Sequence, residues 1–217
     1  MGRRGFVRGM AWKIRANAEF AFVSSGLLVA LMGWIADLFA MLGKAAGLGG
    51  HGTDDLFFRV NITFFAFGLA AIGVGYEQHE RFFRDRSWGV RYVAGYLILL
   101  DGVLHAFAFN DHLADPFQAA FFGVLAPVQV AVGLALPYLR RSWDAASLAL
   151  AAFLLAAYIG TRLAAVWPLG GIEEIEALGI LSKLVEGLAV ICLVQLVRAR
   201  GGPRPVPVPP DAAVGAR

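Results

Sequence analysis

The chain is 217 residues long, 59% hydrophobic and only 16% charged, with a mean hydropathy of +0.65 and a formal net charge of +3. A soluble domain of this size carries about a quarter charged residues, so a water-soluble enzyme or binding module is excluded. Its apolar stretches reach the roughly 20 residues a helix needs to cross a bilayer, and the class is a polytopic membrane protein.

Residues 1–17 form a basic segment with Arg3, Arg4, Arg8, Lys13 and Arg15. The first predicted span, 18–42, is longer than a signal-peptide apolar region and lacks a small-residue cleavage site after it, so it is read as an uncleaved helix. Spans follow at 56–76, 90–109, 117–138, 145–166 and 176–197. Short connections make consecutive spans antiparallel, and the expected fold is all-α, six transmembrane helices arranged as three antiparallel hairpins over residues 18–198. The tail, 199–217, contains GGPRPVPVPP and lacks the apolar material to pack; it is expected to be disordered or polyproline-like.

Orientation follows from the basic residues. Arg81, Arg84, Arg86 and Arg91 accompany the second connection, Arg140 and Arg141 the fourth, and Arg198, Arg200, Arg204 and Arg217 the C-terminus, whereas the alternate connections hold Lys44 alone. Both termini are therefore expected in the cytoplasm, with the chain multi-pass in the plasma (inner) membrane. Trp12, Trp88 and Trp143 fall at the inner interface and Trp167 at the outer one, as an aromatic belt requires. The positive charge then reports topology and contact with anionic membrane lipid, with no role in binding nucleic acid. Cys192 is the single cysteine, which rules out an intrachain disulfide and a cysteine metal cluster.

Ionisable side chains inside spans are costly and face a bundle interior or a water-filled cavity. In the third span, LDGVLHAFAFNDHL (100–113) places Asp101, His105 and His112 at i, i+4 and i+11, one helical face. In the last span Glu176, Gly179, Lys183 and Glu186 share another face. Asp37, Arg59 and Arg162 lie in the outer halves of the first, second and fifth spans. All these groups fall in the outer half or near the midplane, which predicts a polar pocket opening outward: Asp101, His105 and His112 on one wall, Arg162 and the Glu176–Lys183–Glu186 face on the other, with Asp37 and Arg59 contributing. Buried ion pairs that set helix register are the alternative use of the same charges.

Two imidazoles and a carboxylate suit copper, zinc or iron. Along an unbroken helix His105 and His112 stand about 10 Å apart, too far to share an ion, but a chain turning near Asn110–Asp111 brings His112 back over His105, with Asp101 or His51 completing the set. A haem with a single histidine ligand, or one shared across subunits, is a weaker possibility, because His105 is the only histidine well inside a span. A proton relay through Asp101, His105, Lys183 and Glu186 lacks a continuation into the inner half. No nucleophile-elbow, zincin or phosphate-loop motif is present.

The segments HAFAFNDHLADPFQAAFFGVLAPVQ (105–129) and TRLAAVWPLGGIEEIEALGILSKLVEGLAV (161–190) resemble an uncharacterised family of small bacterial polytopic membrane proteins with a His-x6-His pair and a later Thr-Arg…Pro-x-Gly…Glu segment. The resemblance covers roughly the C-terminal half. It implies family positions at His105, His112, Arg162, Pro168, Gly170, Glu174 or Glu176, and Glu186; where the family has Pro-Glu-His, this chain has Asn110-Asp111-His112. The Asp-x3-His spacing with a later histidine is also similar to a copper-ligand set in the membrane subunit of copper monooxygenases, a hint toward copper. Three functions stay open: metal (copper) binding for redox chemistry or metal handling, a noncatalytic subunit or assembly factor of a larger membrane complex, and a small-molecule or ion carrier.

Overall fold

The structure, a computed structural model, describes residues 17–46, 55–166 and 171–200. The expectations for the basic segment 1–16, for Trp12, His51, Trp167, Pro168 and Gly170, and for the tail beyond residue 200 lie outside the described residues. Those described form six helices and no strand: α1 (Ala18–Ala45), α2 (Asp55–Arg84), α3 (Arg86–Asp111), α4 (Pro116–Ala135), α5 (Ser142–Leu163) and α6 (Ala177–Arg200). All six are long and apolar enough to cross a membrane. The chain is an all-α, multi-pass membrane protein by that criterion.

Local chemistry sets the helix starts. Asn17 accepts the Phe20 amide at 2.9 Å, Asp85 accepts that of Trp88 at 3.0 Å, and Asp115 accepts those of Phe117 and Gln118. Each side-chain oxygen satisfies an amide that the first helical turn leaves without a partner. Pro116 occupies the first position of α4, where its missing N–H is harmless. The longest departure from the sequence expectation is α2, which continues two turns beyond Tyr76 through the polar run 77–84, because nothing in that run breaks a helix.

The chain divides into two compact units, Met1–Arg84 and Asp85–Arg217. In the first, α1 and α2 pack against each other. Gly26 lies so close to the Ala66 carbonyl, and Gly33 to Ile62, that a Cβ at either position would collide; small residues let membrane helices approach this closely. Within the same unit Arg59 reaches Asp37 with both arms of its fork, Nε to Oδ1 at 2.9 Å and Nη2 to Oδ2 at 3.0 Å, and both side chains are buried.

In the second unit α3 packs on both α4 and α6, and α6 also packs on α5. Gly95 and Gly133 meet across α3 and α4: a Cβ on Gly133 would stand 2.6 Å from the Leu99 nitrogen, and one on Gly95 2.6 Å from the Gly133 carbonyl oxygen. Ala94, Ile98, Leu136, Ala189, Leu193 and Leu196 form the apolar core at this end. Here too lies Arg91, in the first turns of α3 and buried: its guanidinium donates to Asp144 Oδ1 at 2.7 Å and to the carbonyls of Leu139 and Arg140. A charge in the expected charge-poor half thus ties the α4–α5 connection to α3. Large apolar side chains such as Phe64, Phe65, Ile72, Val124, Leu184 and Leu188 face outward, the surface that contact with lipid demands.

Candidate functional site

The polar side chains of the second unit gather around α3. Asp101 and His105 are one turn apart and both buried. Gln129 of α4 fits between them: its Nε2 donates to Asp101 Oδ2 at 2.6 Å, and its Oε1 lies 2.6 Å from His105 Nδ1. An amide oxygen only accepts, so the network assigns the proton to Nδ1 and leaves Nε2 as the lone-pair nitrogen. Ser182 of α6 donates to Asp101 Oδ1 at 2.7 Å. The imidazole Nε2 stands 3.8 Å from Glu186 Oε1, and that same oxygen accepts from the Lys183 ammonium. Glu186 Oε2 is buried without a hydrogen-bond partner.

Two carboxyl groups and an imidazole face one ammonium in an apolar bundle, where an unbalanced charge is expensive. Among the described residues, Asp101, His105 and Glu186 are the group whose ligand atoms converge, all within 4.8 Å of one another. Imidazole and two carboxyl groups are donor types that a divalent metal accepts; Glu186 stands on the Nε2 side of the ring and Asp101 on the Nδ1 side, 3.4 Å from that nitrogen. His112 is outside this group. The helix does end at Asp111, as the turn expectation required, but Phe122 of α4 lies against both imidazoles, its ring 5.5 Å from that of His105 and 5.4 Å from that of His112.

Beside the cluster lies a cavity of about 480 Å³, walled by all four helices of the unit and by the α5–α6 connection. His105, Ser182 and Lys183 line its inner part; His112, Gln118, Arg162, Glu173 and Glu176 line it at the end where α3 and α5 finish; Leu104, Phe117, Phe121, Phe122, Phe153 and Leu178 form the apolar wall. Asp101 and Glu186 lie behind His105, lining a second void of about 10 Å³ with Gln129 and Ser147. Of the predicted pocket residues, Arg162, Glu176 and Lys183 therefore line the cavity together with His105 and His112. Asp37 and Arg59 belong to the first unit and are each other's partners.

Tyr158 of α5 organises the cavity's polar end. The Arg162 guanidinium stacks 3.9 Å from its ring centroid and the Lys183 ammonium lies 5.4 Å from it. Gly179 makes room, since a Cβ there would stand 2.9 Å from the tyrosine ring. Gln129, Ser182 and Tyr158 are the site residues that periodicity alone does not select. Gln129 carried a signal nonetheless, as the one amide in the otherwise apolar stretch VLAPVQVAVG (124–133). No protein-family model, curated protein or solved structure matches the chain.

Proposed function

We propose that this membrane protein binds one divalent transition-metal ion at Asp101, His105 and Glu186, for redox chemistry or metal handling. The observation that carries the reading is the convergence of those three buried groups, with His105 Nε2 turned toward Glu186 by the bond from Nδ1 to Gln129. Glu186 keeps one oxygen free of hydrogen bonds. The donor set contains no thiolate or thioether, since Cys192 packs in the apolar core at the other end and the chain has no methionine after Met41. Soft Cu(I) is therefore disfavoured, and Cu(II), Zn(II) or Fe(II) fits the nitrogen and oxygen ligands. The six spans are placed as three hairpins in a bacterial inner membrane with both termini cytoplasmic, a reading supported by the distribution of Lys and Arg. On that orientation the cavity opens outward.

Elemental analysis of protein purified in mild detergent without chelator tests the proposal. About one equivalent of a transition metal per chain is expected, lost in His105→Ala and Glu186→Gln and kept in His112→Ala. A preparation that neither contains nor takes up Cu(II), Zn(II) or Fe(II) overturns the reading, and a Soret band assigns haem instead. The cavity favours a second reading, a small-molecule or ion carrier, because it reaches from the α5–α6 connection to His105.

A further inference from the structure

Arg162 is the cation of the second unit's interior with no acid attached. Arg91 has Asp144 and Lys183 has Glu186, but among the described residues no carboxylate lies within ion-pair distance of Arg162. Its Nη1 donates to the Thr161 hydroxyl at 2.8 Å, and its Nε is buried without a hydrogen-bond partner. The Tyr158 hydroxyl beneath it is also buried and without one. Glu173 is near in the chain path, because its backbone N–H bonds the Thr161 carbonyl at 3.0 Å, yet its carboxylate accepts from Gln118 on α4. Glu176 is exposed at the cavity's end. The half-buried Arg162 guanidinium thus stands at the cavity's polar end without an acid, and a buried or half-buried cation is costly without a counter-charge.

Between the polar groups at its inner part and at its end, the cavity wall is apolar, formed by Leu104, Phe117, Phe121, Phe122, Phe153 and Leu178. Arg162 stands in the last turn of α5 and Phe153 nine residues earlier, about 13 Å along the helix axis at ~1.5 Å per residue. Along that length α4 packs on α3 and α5 on α6, which leaves α4 and α5 to border the opening. Phe117 on one side and Phe153 on the other are 50% and 60% exposed there. In a spanning bundle such a side opening faces lipid acyl chains, while Arg162 sits where an apolar helix ends and polar heads begin. The volume of about 480 Å³ falls in the lower part of the range of roughly 300–1,000 Å³ typical of small-molecule sites, room for one chain.

We propose that the cavity binds a single-chain amphiphile with a carboxylate head, the carboxylate on the Arg162 guanidinium and the chain between α4 and α5 along Phe121, Phe122 and Phe153. A planar carboxylate matches the guanidinium fork. A cationic head is disfavoured because Arg162 and Lys183 already occupy the neighbourhood of the Tyr158 ring. The site is independent of any metal at His105.

The test uses the full chain in chelator-treated form, with tritiated palmitate as the probe in a scintillation-proximity assay. Saturable binding near one per chain is expected, displaced by unlabelled palmitate and not by equal concentrations of hexadecanol or acetate. Arg162→Gln should weaken it by roughly tenfold to a hundredfold, the scale of a hydrogen bond to a charged group. Ala157→Phe, which fills the cavity from α5, should abolish palmitate binding while metal uptake at His105 stays as measured in the parent protein. Hexadecanol competing as well as palmitate overturns the proposal on the unmodified protein, whether or not the variants fold. Unchanged affinity in Arg162→Gln overturns it as well, and displacement by hexadecyl phosphate far better than by palmitate replaces the carboxylate class with a phosphate-headed one.

Discussion

At position 129 a single amide touches both Asp101 and His105, and the chemistry of the cluster depends on which way it points. With its oxygen on His105 and its nitrogen on Asp101, it holds the imidazole proton on Nδ1 and presents Nε2 to Glu186. Gln129→Leu removes an acceptor and a donor at once and leaves both partners buried. Each such loss costs about 1–3 kcal/mol, so the melting temperature should fall. Metal affinity should fall by roughly tenfold to a hundredfold, as when other orienting partners are removed. Thermal unfolding and a metal titration of the same variant check both effects; a variant that melts lower but titrates normally would leave Gln129 a purely structural residue. Lys183 belongs to the same scale. Its ammonium bonds Glu186 in an apolar surrounding, and an incoming cation must share that carboxyl group with it.

At the scale of the helices, glycine placement sets which pairs approach closely. Gly95 and Gly133 put the backbones of α3 and α4 in contact, and this approach seats Gln129, about one turn from Gly133, beside His105. Gly133→Leu is expected to push the helices apart and to destabilise the protein by at least the ~1–3 kcal/mol of an overpacked core, with loss of metal binding as the register fails. Gly187 on α6 has open space around a would-be Cβ, so Gly187→Ala should leave the melting temperature unchanged or raise it. Comparing the two variants by thermal unfolding separates helix approach from general intolerance of substitution. The buried Arg91 acts at this scale too: by taking the carbonyls of Leu139 and Arg140 it ends α4 and begins α5 at a fixed point on α3. Its place at the start of the third span, close after Arg84 and Arg86, counted it with the interfacial basic residues and gave no sign of its burial against Asp144.

For the whole molecule, the distribution of Lys and Arg predicts one topology. The connection between α5 and α6 should lie outside and that between α2 and α3 inside. In a Cys192→Ala background, Glu174→Cys should react with a membrane-impermeant maleimide in intact cells, and Arg84→Cys only after the membrane is opened. Both positions are exposed, so accessibility within the protein does not confuse the result. The reverse labelling pattern would invert the bundle and turn the cavity toward the cytoplasm.

The sequence by itself determined the class and the six helices, because apolar run length and charge poverty are local properties that bilayer thickness converts directly into spans. It also placed Asp101, His105, Arg162, Lys183 and Glu186 among the buried or half-buried polar groups, since an ionisable residue inside an apolar run is conspicuous without any fold. The sequence set the α3 and α6 polar faces on opposite walls, and tertiary structure decided which residues on them pair. Helical periodicity says which residues share a face of one helix, not which faces meet: it joined Asp101 and His105 to His112, whereas packing of α6 on α3 brought Glu186 and Ser182 to them, and Phe122 of α4 took the place against both imidazoles. The close approach of α1 and α2 at their glycines likewise made Asp37 and Arg59 each other's partners.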